Sequence, residues 1–250
     1  MLKIENAEVV GWEHAIRGMR NPKNSWEKSD TTWRTKFSDD RSLITPYKVM
    51  SDSRLVIGPN DYDLMMTLSN AGTDHRKFMR MITVYLDITA PLYWWKEFDT
   101  YKVGTVANSC STMHKIADKE FTLEDFSCEH LLQSSSTQLE LHSALVCAPT
   151  LDGKPQWTPM MHLLSTIAGL NHYREKYLET KDKKYWWQMI QLLPTSYNQK
   201  RTVMLNYEVL ANIYKSRRSH KLDEWVEFCK WIASLPYSGL ITGKEKKLNE

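Results

Sequence analysis

The chain has 250 residues, of which 42% are hydrophobic and 25% are charged. These fractions are typical of a soluble globular protein and exclude an intrinsically disordered one. The 33 basic and 30 acidic residues leave a net charge of +3, which does not indicate a nucleic-acid or membrane partner. No apolar run approaches the roughly 18 residues of a membrane span, and the N-terminus is charged where a signal peptide is apolar. We therefore expect a cytoplasmic protein.

The first part of the chain predicts two strands and two helices around a long polar segment. In chain order, we expect a strand at 2–10, an irregular loop or lid at about 18–48, a helix at 61–71, a strand at 82–89 and a helix at 91–102. The strand at 82–89 follows from its alternation of apolar and polar residues. Gly72 is a suitable C-terminal cap for the first helix, and Pro91 suits the first turn of the second.

The rest of the chain predicts mainly helices. In chain order, we expect a loop leading into a helix at 104–116, a helix at 121–146 interrupted at 134–137, a loop at 149–158, helices at 159–178 and 184–193, a strand at 201–205, and helices at 207–215 and 222–235. Apolar residues at three- and four-residue spacing support the longer helices. The sequence therefore predicts a helix-rich α/β (α+β) fold. Since no linker or internal repeat is visible, we expect a single domain spanning 1–250.

Two residue types bear on chemistry. The four cysteines, Cys110, Cys128, Cys147 and Cys229, are widely separated and form no CxxC pair. They predict neither a zinc site nor a disulfide framework, so we expect reduced thiols and no metal. Ten Trp and twelve Tyr are present, and such side chains serve packing or line pockets for planar ligands.

Three polar segments are candidates for a ligand site, and each also has a plainer structural interpretation. At 72–78, His75 follows a predicted helix and can stack on a ligand, although Thr73 or Asp74 capping the next turn is the simpler explanation. The segment 90–115 contains a hydroxyl- and amide-rich loop that can hold phosphate through backbone N–H groups. A solvated turn explains the same loop equally well.

The second segment begins with a predicted helix that carries Lys96, Glu97, Tyr101 and Lys102 at spacings that bring several onto one face. In the third segment, 193–225, Asn206 ends a strand, and Arg217, Arg218 and His220 follow the next helix. A guanidinium there can bind a phosphate or a pyrimidine edge. Cations placed at a helix C-terminus by the helix dipole are the alternative.

Taken together and in this order, the three segments resemble the flavin-dependent thymidylate synthases. That family has a His after a helix, then a strand, an Ala-Pro pair and the signature R-H-R-x-x-S-x-N-x-x-S-x-R. Here His75 lies fifteen residues before Ala90-Pro91. Residues 100–102 occupy the R-H-R position and Thr105 the first Ser, and 108–111 match N-x-x-S after one extra residue.

The resemblance continues to about residue 235. The family closes with Leu-Pro, a strand that ends in Asn, and an Arg one helix later. Leu193-Pro194, Asn206 and Arg217 keep this spacing, and His220 and Trp225 resemble the family's following H-A-Q-W segment with one residue inserted.

The resemblance implies the family's fold, a small central sheet flanked by long helices, assembled as a homotetramer. It implies FAD as cofactor, NADPH and methylenetetrahydrofolate as co-substrates, and methylation of dUMP or a similar pyrimidine nucleotide. It assigns flavin contacts to His75, Tyr101, Lys102, Asn108 and Asn206. It assigns nucleotide contacts to Glu97, Ser109, Ser111, Thr112, His114 and Arg217. Of these, Ser111 and Arg217 are the expected catalytic residues, and Arg217 would polarise the uracil ring.

The sequence departs from the family at its cations. Only Lys102 keeps a positive charge in the R-H-R position, and the signature's last Arg falls at Met113. A second phosphate-binding Arg is missing from 188–191. Each charge-assisted hydrogen bond is worth about 1.5–3 kcal/mol, so losing two weakens dUMP binding by about a hundredfold or more unless other cations compensate.

Three hypotheses follow. The first is a working or divergent flavin-dependent nucleotide methylase. The second is a non-catalytic protein that binds or sequesters a nucleotide on the same scaffold, which the altered signature favours. The third is an oligomeric scaffold whose aromatic residues all serve the core or subunit interfaces.

Overall fold

A computed structural model describes residues 1–35, 53–133 and 158–243. The strands are β1 (Lys3–Val10), β2 (Thr32–Thr35), β3 (Ser53–Val56), β4 (Thr83–Pro91), β5 (Val106–Ser109) and β6 (Asn198–Asn206). The helices are α1 (Trp12–Arg20), α2 (Pro59–Asn70), α3 (Leu92–Phe98), α4 (Thr112–Lys115), α5 (Pro159–Thr180), α6 (Lys183–Leu192), α7 (Tyr207–Arg217), α8 (Asp223–Ser234) and α9 (Gly239–Thr242). Short 3₁₀ helices lie at Asn21–Lys23, Trp26–Lys28, Arg76–Met81 and Leu123–Asp125.

Four strands form one sheet in the order β1-β4-β6-β5. Strand β5 is antiparallel to β6, with Asn108 opposite Thr202 and Ser109 opposite Arg201. A second, two-stranded sheet pairs β2 with β3 in antiparallel register. The fold is therefore a helix-rich α/β arrangement with a small antiparallel component, which confirms the predicted fold class.

The chain divides into two compact units, and the first comprises 1–7, 85–102 and 106–204. Its core joins α5 and α6 to the segment 116–126, and the buried members are Ile116, Ala117, Phe121, Phe126, Leu163, Ile167, Leu170 and Met189. In the sheet, the Asp87 carboxylate accepts hydrogen bonds from Thr202 and Asn6 at 2.6 and 2.9 Å and pairs with Lys200 at 3.1 Å. These hydrogen bonds lower the pKa of Asp87 to about 2.

The second unit comprises 8–84, 103–105 and 205–250 as far as they are described. Helix α7 packs against α8, α9 and the 3₁₀ helix Arg76–Met81. The fully buried Tyr207 ring meets Trp12 edge to face at a centroid distance of 5.2 Å, and its hydroxyl donates to the Pro236 carbonyl at 2.6 Å. This aromatic packing holds the start of α7 in place.

Most predicted elements are confirmed within two to four residues, and the exceptions are explained by contacts with residues distant in the sequence. The predicted helix at 121–146 is wrong for its described part. There the Asn171 side chain binds both the N–H and the C=O of Phe121, at 2.8 and 2.9 Å. Thr122 and Asp125 then close a capping box around a single 3₁₀ turn. Residues 134–146 and all but the last residue of the predicted loop at 149–158 lie outside the described residues.

Two polar segments are more regular than predicted. The stretch 104–116 contains β5, because its backbone pairs with β6. The polar segment 18–48 contains two 3₁₀ helices and β2 in its described part, which ends at residue 35. Among the helices in the described part of the chain, none combines the length and apolarity that crossing a bilayer requires.

Candidate functional site

The predicted site residues are divided between the two units. Eight lie in the first unit: Glu97, Tyr101, Lys102, Asn108, Ser109, Ser111, Thr112 and His114. Three lie in the second: His75, Asn206 and Arg217. Each group is described within its own unit.

Helix α3 is shorter than the sequence predicts, and this changes the arrangement around Glu97. The helix ends at Phe98, and Tyr101 donates its N–H to the Phe98 carbonyl at 3.0 Å. Tyr101 and Lys102 therefore follow the helix instead of sharing a helical face with Glu97. Glu97 and Tyr101 are half-buried, whereas Lys102 is exposed.

Asn108 and Ser109 lie on β5, an edge strand whose four residues are all exposed. Because successive side chains of a strand point to opposite faces of its sheet, these two side chains face opposite sides. The resemblance assigns Asn108 to the flavin and Ser109 to the nucleotide, so the strand presents the two residues in different directions.

Ser111 and His114 form a hydrogen-bonded pair at the start of α4. The Ser111 hydroxyl lies 2.8 Å from His114 Nδ1 and also accepts the His114 backbone N–H at 3.1 Å. The hydroxyl can donate to the ring only when Nδ1 is unprotonated. The neighbouring Thr112 is half-buried, and His114 is exposed.

A cavity of about 460 Å³ lies beside this pair. Ser111 and Thr112 line it, together with three lysines and the Asn198 side chain. The Asn198 amide nitrogen is buried without a hydrogen-bond partner among the described residues. A buried donor left unpaired in this way costs about 1–3 kcal/mol, so a ligand oxygen at this position would satisfy it.

The three lysines of this cavity, Lys115, Lys119 and Lys200, are already paired with carboxylates. Lys115 lies 2.8 Å from Asp118, Lys119 contacts Asp125, and Lys200 contacts Asp87 at 3.1 Å. The carboxylates raise the pKa of Lys115 and Lys200. The positive charges of this cavity are thus nearly balanced by carboxylates. A lysine here could bind a nucleotide phosphate, in place of the arginines that the sequence lacks, only by giving up its carboxylate partner.

In the second unit, His75 lies at the rim of a larger cavity, of about 1110 Å³. The residue precedes the 3₁₀ helix Arg76–Met81, and its ring is exposed. Three lysines also line the cavity, Lys23, Lys28 and Lys77, and none forms an ion pair among the described residues. The segment at 72–78 therefore contributes to a ligand-sized space. The N-cap position of the following 3₁₀ helix is His75 itself, with no side-chain cap hydrogen bond, and not Thr73 or Asp74 as in the simpler explanation.

Asn206 caps α7, since its side-chain oxygen accepts the Val209 N–H at 3.0 Å. Its amide nitrogen lies so close to Gly104 that a Cβ there would approach it to 2.8 Å, and Gly104 has a φ of +78°. Glycine therefore permits both the turn and the approach of the amide. The adjacent Thr105 hydroxyl is buried and has no hydrogen-bond partner in the described part of the chain.

Arg217, at the end of α7, contacts an imidazole and an indole. Its Nη1 lies 2.9 Å from His220 Nε2, and its guanidinium carbon lies 4.9 Å from the centroid of the Trp225 ring. The three residues that resemble the family's Arg and H-A-Q-W segment are thus brought together. Arg217 is not among the residues that line the cavity beside His75.

Sequence reasoning missed residues whose roles depend on distant contacts. Nothing in the local sequence marks Asn198, and the three cavity lysines at 23, 28 and 77 lie in segments that the sequence singled out without identifying these side chains. The polar segment beginning at residue 18 was the available signal, because it predicted a binding loop without identifying which side chains line it. Among the described residues, no three His, Cys, Asp or Glu side chains are grouped to hold a metal ion.

Comparison with solved structures identifies the fold, whereas comparison of sequences finds no match. No family model and no curated protein sequence matches the chain. Thymidylate synthase X (ThyX) from Helicobacter pylori with FAD and dUMP matches with a TM-score of 0.62 and 16% identity, covering 97% of this chain and 98% of that one. A second structure of the flavin-dependent ThyX from Helicobacter pylori, complexed with FAD and dUMP, matches with a TM-score of 0.59 and 16% identity over 98% and 100% of the two chains.

A third solved structure widens the comparison. The UMP/dUMP methylase PolB from Streptomyces cacaoi, bound with 5-Br dUMP, matches with a TM-score of 0.53 and 12% identity, covering 97% of this chain and 95% of that one. At these identities the similarity establishes the fold, which is ThyX-like over nearly the whole chain. The resemblance seen in the sequence motifs is confirmed at the level of the fold.

Proposed function

We propose that this protein is a flavin-dependent enzyme that methylates a pyrimidine deoxynucleotide such as dUMP. The ThyX-like fold carries the proposal, because three structures of that fold hold dUMP or its 5-bromo derivative, and two of them also hold FAD. The motif residues from His75 to Trp225 follow the family order in this chain. By the same resemblance, methylenetetrahydrofolate and NADPH are the proposed co-substrates, and a homotetramer is the proposed assembly.

The cavity beside His75 is the proposed flavin site. Its volume of about 1110 Å³ suits a large ligand. The exposed imidazole can stack on or hydrogen-bond a planar ring. The three lysines, which make no ion pair within the described residues, can hold the phosphates, and Glu27 and Asp74 also line the cavity. These features fit a flavin nucleotide.

By the resemblance, flavin contacts are also proposed for motif residues that do not line that cavity. Tyr101, Lys102 and Asn108 occupy the signature positions. Asn206 has an amide nitrogen that makes no hydrogen bond among the described residues, and Gly104 leaves room beside it. When bound, the flavin supplies hydride transfer, while the protein binds, orients and excludes water.

By the resemblance, nucleotide contacts are proposed for Arg217 in the second unit and, separately, for the loop at 109–114 in the first. The guanidinium of Arg217 can polarise the uracil ring, and its contacts with His220 and Trp225 fix its direction. The single hydroxyl proton of Ser111 can be donated to the nucleotide only when His114 Nδ1 does not accept it. Ser109, Thr112 and the half-buried Glu97 are proposed to contact the sugar, phosphate and base edges.

A non-catalytic nucleotide-binding protein is the second candidate, and one observation favours it. The lysines beside Ser111 are paired with carboxylates, so the nucleotide phosphate does not meet free cations there. If the phosphate is held weakly, the nucleotide can be bound without being fixed in the position that a reaction requires.

Flavin binding and turnover separate the candidates. We expect the purified or FAD-reconstituted protein to absorb near about 450 nm, a band of the flavin itself. His75→Ala should weaken FAD binding at least about tenfold, whereas His172→Ala, at an exposed histidine of α5, should leave it unchanged.

The second readout is release of tritium from dUMP labelled at carbon 5, with NADPH and methylenetetrahydrofolate present. Release that requires Arg217 supports the methylase. FAD and dUMP binding without release supports the non-catalytic candidate, and binding of neither ligand overturns both.

A further inference from the structure

We propose that a second ligand site, independent of the flavin proposal, binds a purine nucleotide between two tryptophans of the N-terminal segment. This site, the tryptophan cleft, is a cavity of about 330 Å³ lined by Trp26, Trp33, Arg17, Leu55 and neighbouring hydroxyl residues. It lies in the second unit and is formed by α1, the 3₁₀ helix Trp26–Lys28 and the β2-β3 pair. His75 is not among its lining residues.

The two indole rings are exposed but fixed. Trp26 is 49% exposed and Trp33 is 53% exposed, which is unusual for the largest side chain. The Trp26 N–H donates to Asn21 Oδ1 at 2.8 Å, and the Trp33 N–H donates to the Glu13 carboxylate. Because each ring is tied by its N–H while its faces stay accessible, both rings are preorganised to stack on a planar ligand.

A buried ionic cluster supports the segment that carries Trp26. The Asp61 carboxylate is fully buried and bonds Arg20 at 2.6 Å. It also accepts from the hydroxyls of Ser29 and Thr31, both at 2.6 Å. Arg20 in turn donates to the backbone carbonyls of Ser25 and Lys28. The chain on both sides of Trp26 is therefore anchored to α2.

The cleft is lined by the carboxylate of Glu13, which accepts the Trp33 N–H, and by two arginines, of which Arg17 can pair with an anionic group on the ligand. Arg17 lies at the cleft, is exposed and makes no ion pair or hydrogen bond among the described residues. The other guanidinium of the cleft, that of Arg20, is neutralised by Asp61. A free guanidinium beside aromatic faces matches a nucleotide, whose base stacks while its phosphate pairs with the arginine. The two-ring base of a purine covers more indole surface than a pyrimidine does.

The experiment titrates the full-length protein with AMP, adenosine and ribose 5-phosphate by calorimetry. We expect AMP to bind, adenosine to bind about tenfold more weakly because it lacks the phosphate, and ribose 5-phosphate not to bind measurably. Trp26→Ala and Trp33→Ala should each weaken AMP binding at least about fivefold. Arg17→Ala should weaken AMP binding about tenfold without changing adenosine binding.

Matched variants localise the binding. Trp187→Ala, at a 42% exposed tryptophan of α6, and His75→Ala should both keep the AMP affinity of the unchanged protein. Absence of AMP binding, or AMP binding that survives the Trp26 and Trp33 changes, overturns the proposal. AMP binding lost in His75→Ala alone assigns the nucleotide to the other cavity and also overturns it.

Failure of this proposal is distinguishable from failure of the flavin proposal. A protein that binds AMP through Trp26 and Trp33 but takes up no FAD refutes the flavin site and leaves the tryptophan cleft standing. The reverse result, FAD uptake without cleft binding, refutes the cleft alone.

Discussion

The buried pair of Arg20 and Asp61 gives a sharp test of how the second unit is held together. Asp61 accepts five hydrogen bonds, from the Arg20 side chain, the hydroxyls of Ser29 and Thr31, and the N–H groups of Asp30 and Thr31. Asp61→Asn removes the charge and one acceptor oxygen, so Arg20 stays buried without its counter-ion. Breaking a buried ion pair in this way costs about 3–5 kcal/mol, and we expect a loss of at least about 3 kcal/mol.

The assay is urea unfolding followed by tryptophan fluorescence, and the control is Asp63→Asn at an exposed position of the same helix. The control should change the free energy of unfolding by less than about 0.5 kcal/mol. A loss of less than about 1 kcal/mol in Asp61→Asn would refute the view that this cluster anchors the segment around Trp26, because the pair would then be solvated or replaceable.

The same cluster predicts a pH dependence. Burial alone raises the pKa of Asp61, but hydrogen bonds from Ser29, Thr31 and Arg20 outweigh burial and hold the pKa below its ordinary value of 3.8. A carboxyl with a lowered folded pKa stabilises the fold above its unfolded pKa and loses this contribution as the pH falls through the folded value. The stability difference between the unchanged protein and Asp61→Asn should therefore be constant above about pH 5 and shrink below about pH 4.

Three further predictions concern other parts of the molecule. Trp95→Ala should lower the free energy of unfolding, measured in urea, by about 3–5 kcal/mol, because Trp95 is fully buried and donates to the Gln199 carbonyl at 2.9 Å. A loss below about 1 kcal/mol would contradict its core position. Gly104→Ala should lower stability by about 1 kcal/mol or more and weaken FAD binding, whereas unchanged FAD affinity would argue against a role for Asn206 in the flavin site. In thiol labelling at neutral pH, the exposed Cys110 should react quickly and the buried Cys229 slowly, because burial raises the pKa of the Cys229 thiol to about 11. Equal labelling rates for the two thiols would contradict the burial of Cys229.

Elements with strong local signals were predictable from the sequence, and those made by distant contacts were not. The long helix α5 has a Pro at its first turn and a Thr cap, so its N-terminus agrees between sequence and structure. The stretch after Phe121 has helical apolar spacing, yet Asn171 holds its backbone in another conformation. Likewise β5 consists of small polar residues, and only pairing with β6 makes it a strand.

The site residues remain predictions, but one grouping among them has a structural counterpart. The family resemblance placed Arg217, His220 and Trp225 in neighbouring motifs, and the structure places the three in contact. The pairing of Lys200 with Asp87 joins two strands far apart in the sequence, so the sequence could not show that this lysine is already occupied.

The central proposal is that this chain, which has a ThyX-like fold, binds both a flavin and a pyrimidine nucleotide. The most direct test adds dUMP to FAD-loaded protein and records the flavin absorbance spectrum. We predict a saturable change in the band near about 450 nm that Arg217→Ala abolishes while FAD stays bound. A protein that retains no FAD, or a flavin spectrum that dUMP leaves unaltered, would contradict the account.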